Sequence, residues 1–459
     1  MIILDVRVEV VILYLSIGCD VFRLTTQTQC LPQPMIIREV FDNGLSLLTE
    51  AMPDVRSVSI GVWLSRGSRH DKVEERGMAH FVEHMLFKGT KTRSAEDIAQ
   101  AIDSLGGQLD AFTAKECASY HVRVLDEHLS DALAVLSDVV LNPAFQPDEI
   151  AREKKVILEE IKMVEDTPDD FVHELFTQQF WEGHSLGLPI LGSPDSISSF
   201  TATQIQDFFK RSYVASNVIV SAAGNLEHVR LRDLIHAAFG GLETSGELVH
   251  WSAPEATPGL QLHNKDLEQS HLCVGVPAYP QAHDDRYVCY VLNTIFGGSM
   301  SSRLFQNIRE KRGLAYTVYS GLNAYRDAGA LTIYAGCATE AVNEVLGLIV
   351  EEVREISDVT VLSEELRRAK DHLKGSLMLS LESTSSRMSN LAYQEMCFGR
   401  QFSLDETLSG IDRVTVQDVQ RVALDLFKDE LLSTTILGRT DGLKVSSNRL
   451  SAKAMMLSE

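Results

Sequence analysis

The sequence predicts an α+β protein made of two similar halves, and three observations carry that expectation. A strand-like run, Ser57-Val-Ser-Ile-Gly-Val-Trp63, followed by a helical segment at 76–88, is echoed by His271-Leu-Cys-Val-Gly-Val276 and a helical segment near 284–296. Between the copies, Trp251-Ser-Ala-Pro-Glu-Ala-Thr-Pro-Gly259 has the proline, glycine and serine content of a linker. A length of 459 residues, with 44% hydrophobic and 23% charged side chains, suffices for two or more cores. The expected division is an extension over 1–34, a first domain over 35–247, a linker over 248–262, a second domain over 263–441 and a flexible tail over 442–459.

The extension comes first. Its run from Val8 to Gly18 is apolar but broken by Glu9, lies behind Asp5 and is too short to span a bilayer. Leu15-Ser-Ile-Gly-Cys19 loosely resembles a lipoprotein cleavage site, but a positive region ahead of it is missing. The preferred reading is therefore a disordered or non-native extension upstream of a start at Met35, in a cytoplasmic protein, with export as the competing reading. From Met35 the chain reads as strand, Asp42-Asn43-Gly44 turn, strand, a hairpin signal.

The next element carries the chemistry. In His80-Phe81-Val82-Glu83-His84 the two imidazoles lie one helical turn apart on one face, close enough to hold one metal ion, with Glu83 beside them. Met78, Ala79, Phe81, Val82, Met85, Leu86 and Phe87 make the helix apolar nearly all round, so these polar groups are costly there without a partner such as a metal. A pair of core histidines bonded to backbone carbonyls is the bland alternative. A catalytic zinc takes three protein ligands and keeps one position open, and the third ligand is sought downstream.

Pro147 to Val164 supplies it. Pro147 suits a first helical position, and Ile150, Val156, Ile157, Ile161 and Val164 form an amphipathic stripe. Glu153 and Glu160 lie two turns apart on one face, and Glu160 falls between Val156 and Val164. Glu159 points about 100° away, toward Arg152 and Lys155, where a carboxylate is simply solvated.

Taken together, His80-Phe-Val-Glu-His84 and Arg152-Glu-Lys-Lys-Val-Ile-Leu-Glu-Glu160 resemble the inverted zinc motif of the pitrilysin or insulinase family. The likeness runs from Met35 onward, and its nearest look is to bacterial members similar to the β-subunit of mitochondrial processing peptidase. It implies two homologous α/β-sandwich halves, each an antiparallel-rich sheet packed with helices, facing each other as a clamshell. It implies one Zn²⁺ per chain held by His80, His84 and Glu160, with Glu153 in support. Glu83 is then the general base, taking a proton from the activated water and delivering it to the leaving amine. In the second half the register of the histidine motif is assigned to Phe296-Gly-Gly-Ser299, so that half is expected to be metal-free. Arg309-Glu-Lys-Arg-Gly-Leu-Ala-Tyr316 resembles the family's C-terminal signature, which implies that Arg309 and Tyr316 reach toward the substrate carbonyl. A surface arginine and a packed strand tyrosine are the plain alternative. After the Gly106-Gly107 helix stop, Leu109-Asp110-Ala111-Phe112-Thr113 looks like the family's edge strand, where a peptide adds as a further strand. The likeness also implies a homodimer, or a heterodimer with a related subunit.

A formal charge of −22 argues against nucleic acid and anionic membrane surfaces and favours basic peptides, although it also serves solubility. Seven cysteines, scattered singly, suggest reduced thiols. The expected function is a zinc metalloendopeptidase acting on unfolded or short peptides. A non-catalytic structural subunit of the same fold and a hydrolase of some non-peptide bond are the competing readings.

Overall fold

The computed structural model describes residues 36–244, 252–428 and 432–445. The expectations for the extension, the first part of the linker and the tail beyond residue 445 lie outside the described residues. The chain from Ile36 onward forms one compact unit.

Its first sheet contains β1 (Ile36–Val40), β2 (Ser46–Ala51), β3 (Ser57–Leu64), β4 (Gln108–Thr113), β5 (Ala118–Leu125) and β6 (Val218–Gly224), in the order β1-β2-β6-β3-β5-β4. The second contains β7 (Gly259–Asn264), β8 (Ser270–Ala278), β9 (Ala315–Ala324), β10 (Gly329–Cys337) and β11 (Ser433–Gly438), in the order β7-β11-β8-β10-β9. Apart from β1 the two sheets repeat one another. β2 runs parallel to β6 as β7 does to β11, and every other pairing is antiparallel in both. The helices of the first half are α1 (Met78–Leu86), α2 (Ala95–Ser104), α3 (Leu129–Leu141), α4 (Pro147–Glu165), α5 (Pro168–Phe180), α6 (Pro194–Ser199), α7 (Ala202–Ser212) and α8 (His228–Phe239). Those of the second are α9 (Arg286–Phe296), α10 (Val342–Asp358), α11 (Ser363–Ser380), α12 (Thr384–Phe398), α13 (Leu404–Arg413) and α14 (Val416–Leu426).

The opening hairpin forms as its turn residues dictate. Gly44 takes φ 92°, and the Asn43 side chain accepts from Leu45 N at 3.2 Å. Each sheet then buries one face under its own helices in a separate apolar core. The opposite face is covered by a helix from the other half. From α5, Val172, Phe176 and Phe180 pack on Cys273, Ala330, Tyr334 and Leu437 of the second sheet. From α12, Met388, Leu391 and Ala392 pack on Leu48, Trp63, Ile219 and Ala223 of the first. The repeated glycine marks both contacts. A Cβ on Gly61 would come within 2.8 Å of Met388 Sδ, and one on Gly275 within 2.6 Å of Phe176 Cζ.

Two boundaries and one register depart from expectation. Residues 259–262 are not linker but the start of β7, held by the parallel ladder to β11. Leu443 and Val445 pack on the second core, so the first residues of the expected tail are anchored. Phe296 is the last residue of α9, the counterpart of α1, and Gly297–Ser299 lie beyond it. The register assigned to the histidine motif is therefore too late, and α9 itself offers neither histidine nor carboxylate. No helix among the described residues is long and apolar enough to cross a membrane.

Candidate metal centre

Helix α1 begins at Gly77, whose φ of 87° turns the chain into it, and the Asp71 carboxylate accepts from Gly77 N at 3.0 Å and Ala79 N at 3.4 Å. A carboxylate there satisfies N–H groups that the first helical turn leaves unpaired. Met78, Phe81, Val82, Met85 and Leu86 bury α1 in the first core, which fixes the direction of His80, Glu83 and His84. Helix α4 begins at Pro147 as expected, and Ile150, Ile157 and Ile161 seat it in the same core beside α1.

That packing aims Glu160 at the histidines. Its Oε2 lies 3.9 Å from His80 Nε2 and 3.6 Å from His84 Nε2. These three residues are the one group of histidine, cysteine or acidic side chains among the described residues whose ligand atoms lie close enough together, within 4.8 Å, to share a metal ion. Glu160 Oε2 is buried yet receives no hydrogen bond, so the carboxylate oxygen faces two imidazole nitrogens with no proton donor between them. Burial, with the neighbouring His84, pushes His80 down to about 3 and keeps it neutral, as a ligand must be. The donors thus fit zinc, which accepts imidazole nitrogen and carboxylate oxygen.

The support is equally specific. His84 Nδ1 lies 3.0 Å from Glu153 Oε2, so a proton on Nδ1 leaves Nε2 free to ligate. Lys88 Nζ holds the other Glu153 oxygen at 2.9 Å. Burial alone would raise the Glu153 pKa, but the bonds from His84 and Lys88 outweigh it and lower it. Glu159, in contrast, faces solvent and pairs with Lys162 at 2.7 Å.

Glu83 does not join the three ligands. The Thr113 hydroxyl donates to Glu83 Oε2 at 2.5 Å, and burial raises the carboxyl's pKa against that bond and the charge of His84. Thr113 closes β4, the outermost strand of the first sheet. Leu109 and Ala111 lean on the core. Asp110 and Phe112 face the other side, where Phe112 packs edge-on against Trp63 at 5.7 Å. The end of this edge strand thus reaches Glu83, beside the two histidines.

Arg309 and Tyr316 contact each other. Arg309 lies in a π-helical turn, Phe305–Glu310, with its guanidinium 4.8 Å from the Tyr316 ring centre and 4.7 Å from that of Phe305. Tyr316 is 77% exposed at the start of β9, not packed. Among the described residues, no hydrogen bond, ion pair or ring contact joins either residue to His80, Glu83, His84 or Glu160. The structure therefore brings His80, Glu83, His84, Thr113, Glu153 and Glu160 together and sets Arg309 against Tyr316 and Phe305. Sequence reasoning missed Lys88, although its i+4 spacing from His84 could have flagged it. It also missed the bond from Thr113 to Glu83, which no periodicity within one element could reveal.

Residues 46–194 match the family model described as insulinase, peptidase family M16, and residues 199–373 match the peptidase M16 inactive domain. The chain belongs to the insulinase family. Among M16 relatives, an uncharacterized zinc protease of Bacillus subtilis is 42% identical over 396 residues, covering 86% of this chain and 97% of its own. One from Streptomyces coelicolor is 39% identical over 419 residues, covering 89% and 88%. The insulinase-family fold is also matched in solved structures. A peptidase M16 inactive domain from Pseudomonas fluorescens superposes with a TM-score of 0.83 at 21% identity, over 88% of this chain and 98% of that one. A protease from Helicobacter pylori gives 0.82 at 22%, over 88% and 99%.

Proposed function

We propose that this M16 chain is a zinc metalloendopeptidase that cleaves unfolded or short peptides, with one zinc held by His80, His84 and Glu160. The observation that carries the reading is the convergence of those three ligand atoms beside a fourth group, Glu83, which is held back by Thr113. When bound, zinc supplies the Lewis acidity that lowers a water's pKa and polarises a carbonyl. Glu83 takes the proton of the attacking water and delivers it to the leaving amine. Glu153 orients His84 through Nδ1, and Lys88 orients Glu153. The peptide adds to the outer edge of β4 along Leu109–Thr113, so main-chain bonds give affinity with little sequence choice. The charge of −22 draws basic peptides toward the protein.

The working assembly in this proposal is a dimer, of two copies or with a related subunit, in the cytoplasm. Arg309 and Tyr316 act there as donors to the developing oxyanion. Retention of all three ligands and of Glu83 supports catalysis over a purely structural subunit. Zinc content followed by turnover of a quenched peptide tests the reading. A zinc-loaded protein that leaves a peptide library uncut overturns it, and one that binds no zinc supports the structural subunit.

A further inference from the structure

Arg69, outside the candidate metal centre, is almost wholly buried, with 1% of its side chain exposed. A buried guanidinium requires paired acceptors, and its planar fork suits carboxylates taken two bonds at a time. Asp327, in the turn between β9 and β10, accepts from Nη1 and Nη2 at 2.7 Å each. Glu116, in the turn between β4 and β5, accepts from Nη1 at 2.6 Å, and the Ser252 carbonyl, in the crossing between the halves, accepts from Nη2 at 3.4 Å. The other oxygen of Glu116 accepts from the Arg326 backbone N–H at 3.0 Å. One side chain thus gathers the edge hairpin of the first sheet, the edge hairpin of the second and the segment that joins the halves.

Two short paths lead from this clasp to the metal centre. The backbone around Arg69 lies against the β4–β5 turn, with Ser68 N donating to Ala114 O at 3.1 Å and Arg69 N to Lys115 O at 2.8 Å. The approach is so close that a Cβ on Gly67 would fall 2.1 Å from Ala114 O. Two residues after Arg69, Asp71 caps α1, which carries His80, Glu83 and His84. Three residues before Glu116, Thr113 holds the Glu83 carboxylate. Both the helix that bears the base and the strand that steers it are therefore tied, within a few bonds, to a carboxylate of the second half.

We infer that Arg69 is a positioning residue, through which the β9–β10 hairpin of the metal-free half fixes the placement of Glu83 and of the β4 edge in the catalytic half. The inference rests on the peptidase reading for its kinetic consequence but not for its structural one. A group displaced by about 1 Å can cost about a hundredfold in rate. Arg69→Met and Asp327→Asn are therefore expected to keep zinc, to lower kcat on a quenched peptide by about tenfold to a hundredfold through the misplaced Glu83, and to raise KM as the β4 edge loosens. Arg69→Lys, a point charge without the fork, should fall between them and wild type.

A plain staple would also lower activity by unfolding the protein, so the triple variant Arg69→Met, Glu116→Gln, Asp327→Asn separates the two roles. Removing all three charges leaves none buried and unpaired, which favours retained stability. The inference expects this variant to melt near wild type while kcat stays low, and amide hydrogen exchange over residues 108–118 to quicken. Wild-type kcat and wild-type exchange in a folded triple variant overturn it. If the wild-type protein itself cuts no peptide, the peptidase reading falls, and exchange over 108–118 in the same variants still decides whether Arg69 sets the β4 edge.

Discussion

Glu83 and Glu160 flank the same two histidines in different settings: Thr113 donates to Glu83 Oε2, whereas Glu160 Oε2 is buried without a hydrogen bond. Glu83→Gln is therefore expected to retain zinc and to lose about 10²–10⁴-fold in peptide turnover, as loss of general acid–base assistance requires. Zinc analysis beside a kinetic assay checks both halves of that statement. Thr113→Val should lose part of the same rate at full zinc content, with Thr113→Ser restoring it, since only the hydroxyl is at issue. Glu160→Gln should weaken zinc binding, whereas Glu159→Gln, on the solvent side with Lys162, should leave it unchanged. Glu153→Gln should cost about 10–100-fold in metal affinity through the freed His84 ring. The shared faces of His80 with His84 and of Glu153 with Glu160 were legible in the sequence, because each pair lies within one helix, where spacing fixes the face. The bond between Thr113 and Glu83 joins a strand to a helix 30 residues away, and only tertiary packing creates it.

At the scale of elements, the repeated strand was recognised by its pattern, but the role of its glycine was not. Alanine normally gains about 0.5–1 kcal/mol over glycine inside a strand. At Gly61 and Gly275 the opposite is expected, because the new methyl meets Trp63 and Met388 in one sheet and Phe176 and the Leu331 carbonyl in the other. Overpacking of that kind costs about 1–3 kcal/mol, so both alanine variants should unfold at lower urea concentration than wild type. The hairpin at Asp42-Asn43-Gly44 and the helix from Pro147 were also legible, since turn and cap chemistry are local. Strand β7 was not. Its proline-rich approach reads as linker, and its pairing partner β11 comes more than 160 residues later. The exchange of α5 and α12 was equally hidden, because an amphipathic helix declares that it has a buried face and says nothing of which sheet will cover it.

For the whole molecule, zinc binding to the folded state alone raises its stability, by about 2.7 kcal/mol at a hundredfold excess over the dissociation constant. Chelation should accordingly lower the melting temperature of wild type and leave that of Glu160→Gln almost unmoved. Light scattering at assay concentration is expected to find active protein as a dimer, and persistent monomers with full activity would refute that assembly. Arg309→Ala and Tyr316→Phe should keep zinc yet lose about 10²–10³-fold in kcat, the usual effect of removing one donor to a developing oxyanion. Equal rates in wild type and both variants would confine the site to the first half. The crossed helices have one more consequence, which concerns synthesis. Ser59 bonds to Thr384 across 325 residues, an interval of roughly 15–65 s on a ribosome at about 5–20 residues per second. Until α12 emerges, Leu48, Trp63, Ile219 and Ala223 lack the helix that covers them in the folded protein, and Phe176 and Phe180 of α5 precede all the strands they pack on. The two halves expressed from separate messages should accordingly become soluble only when made together, which fractionation of cells making one or both would check.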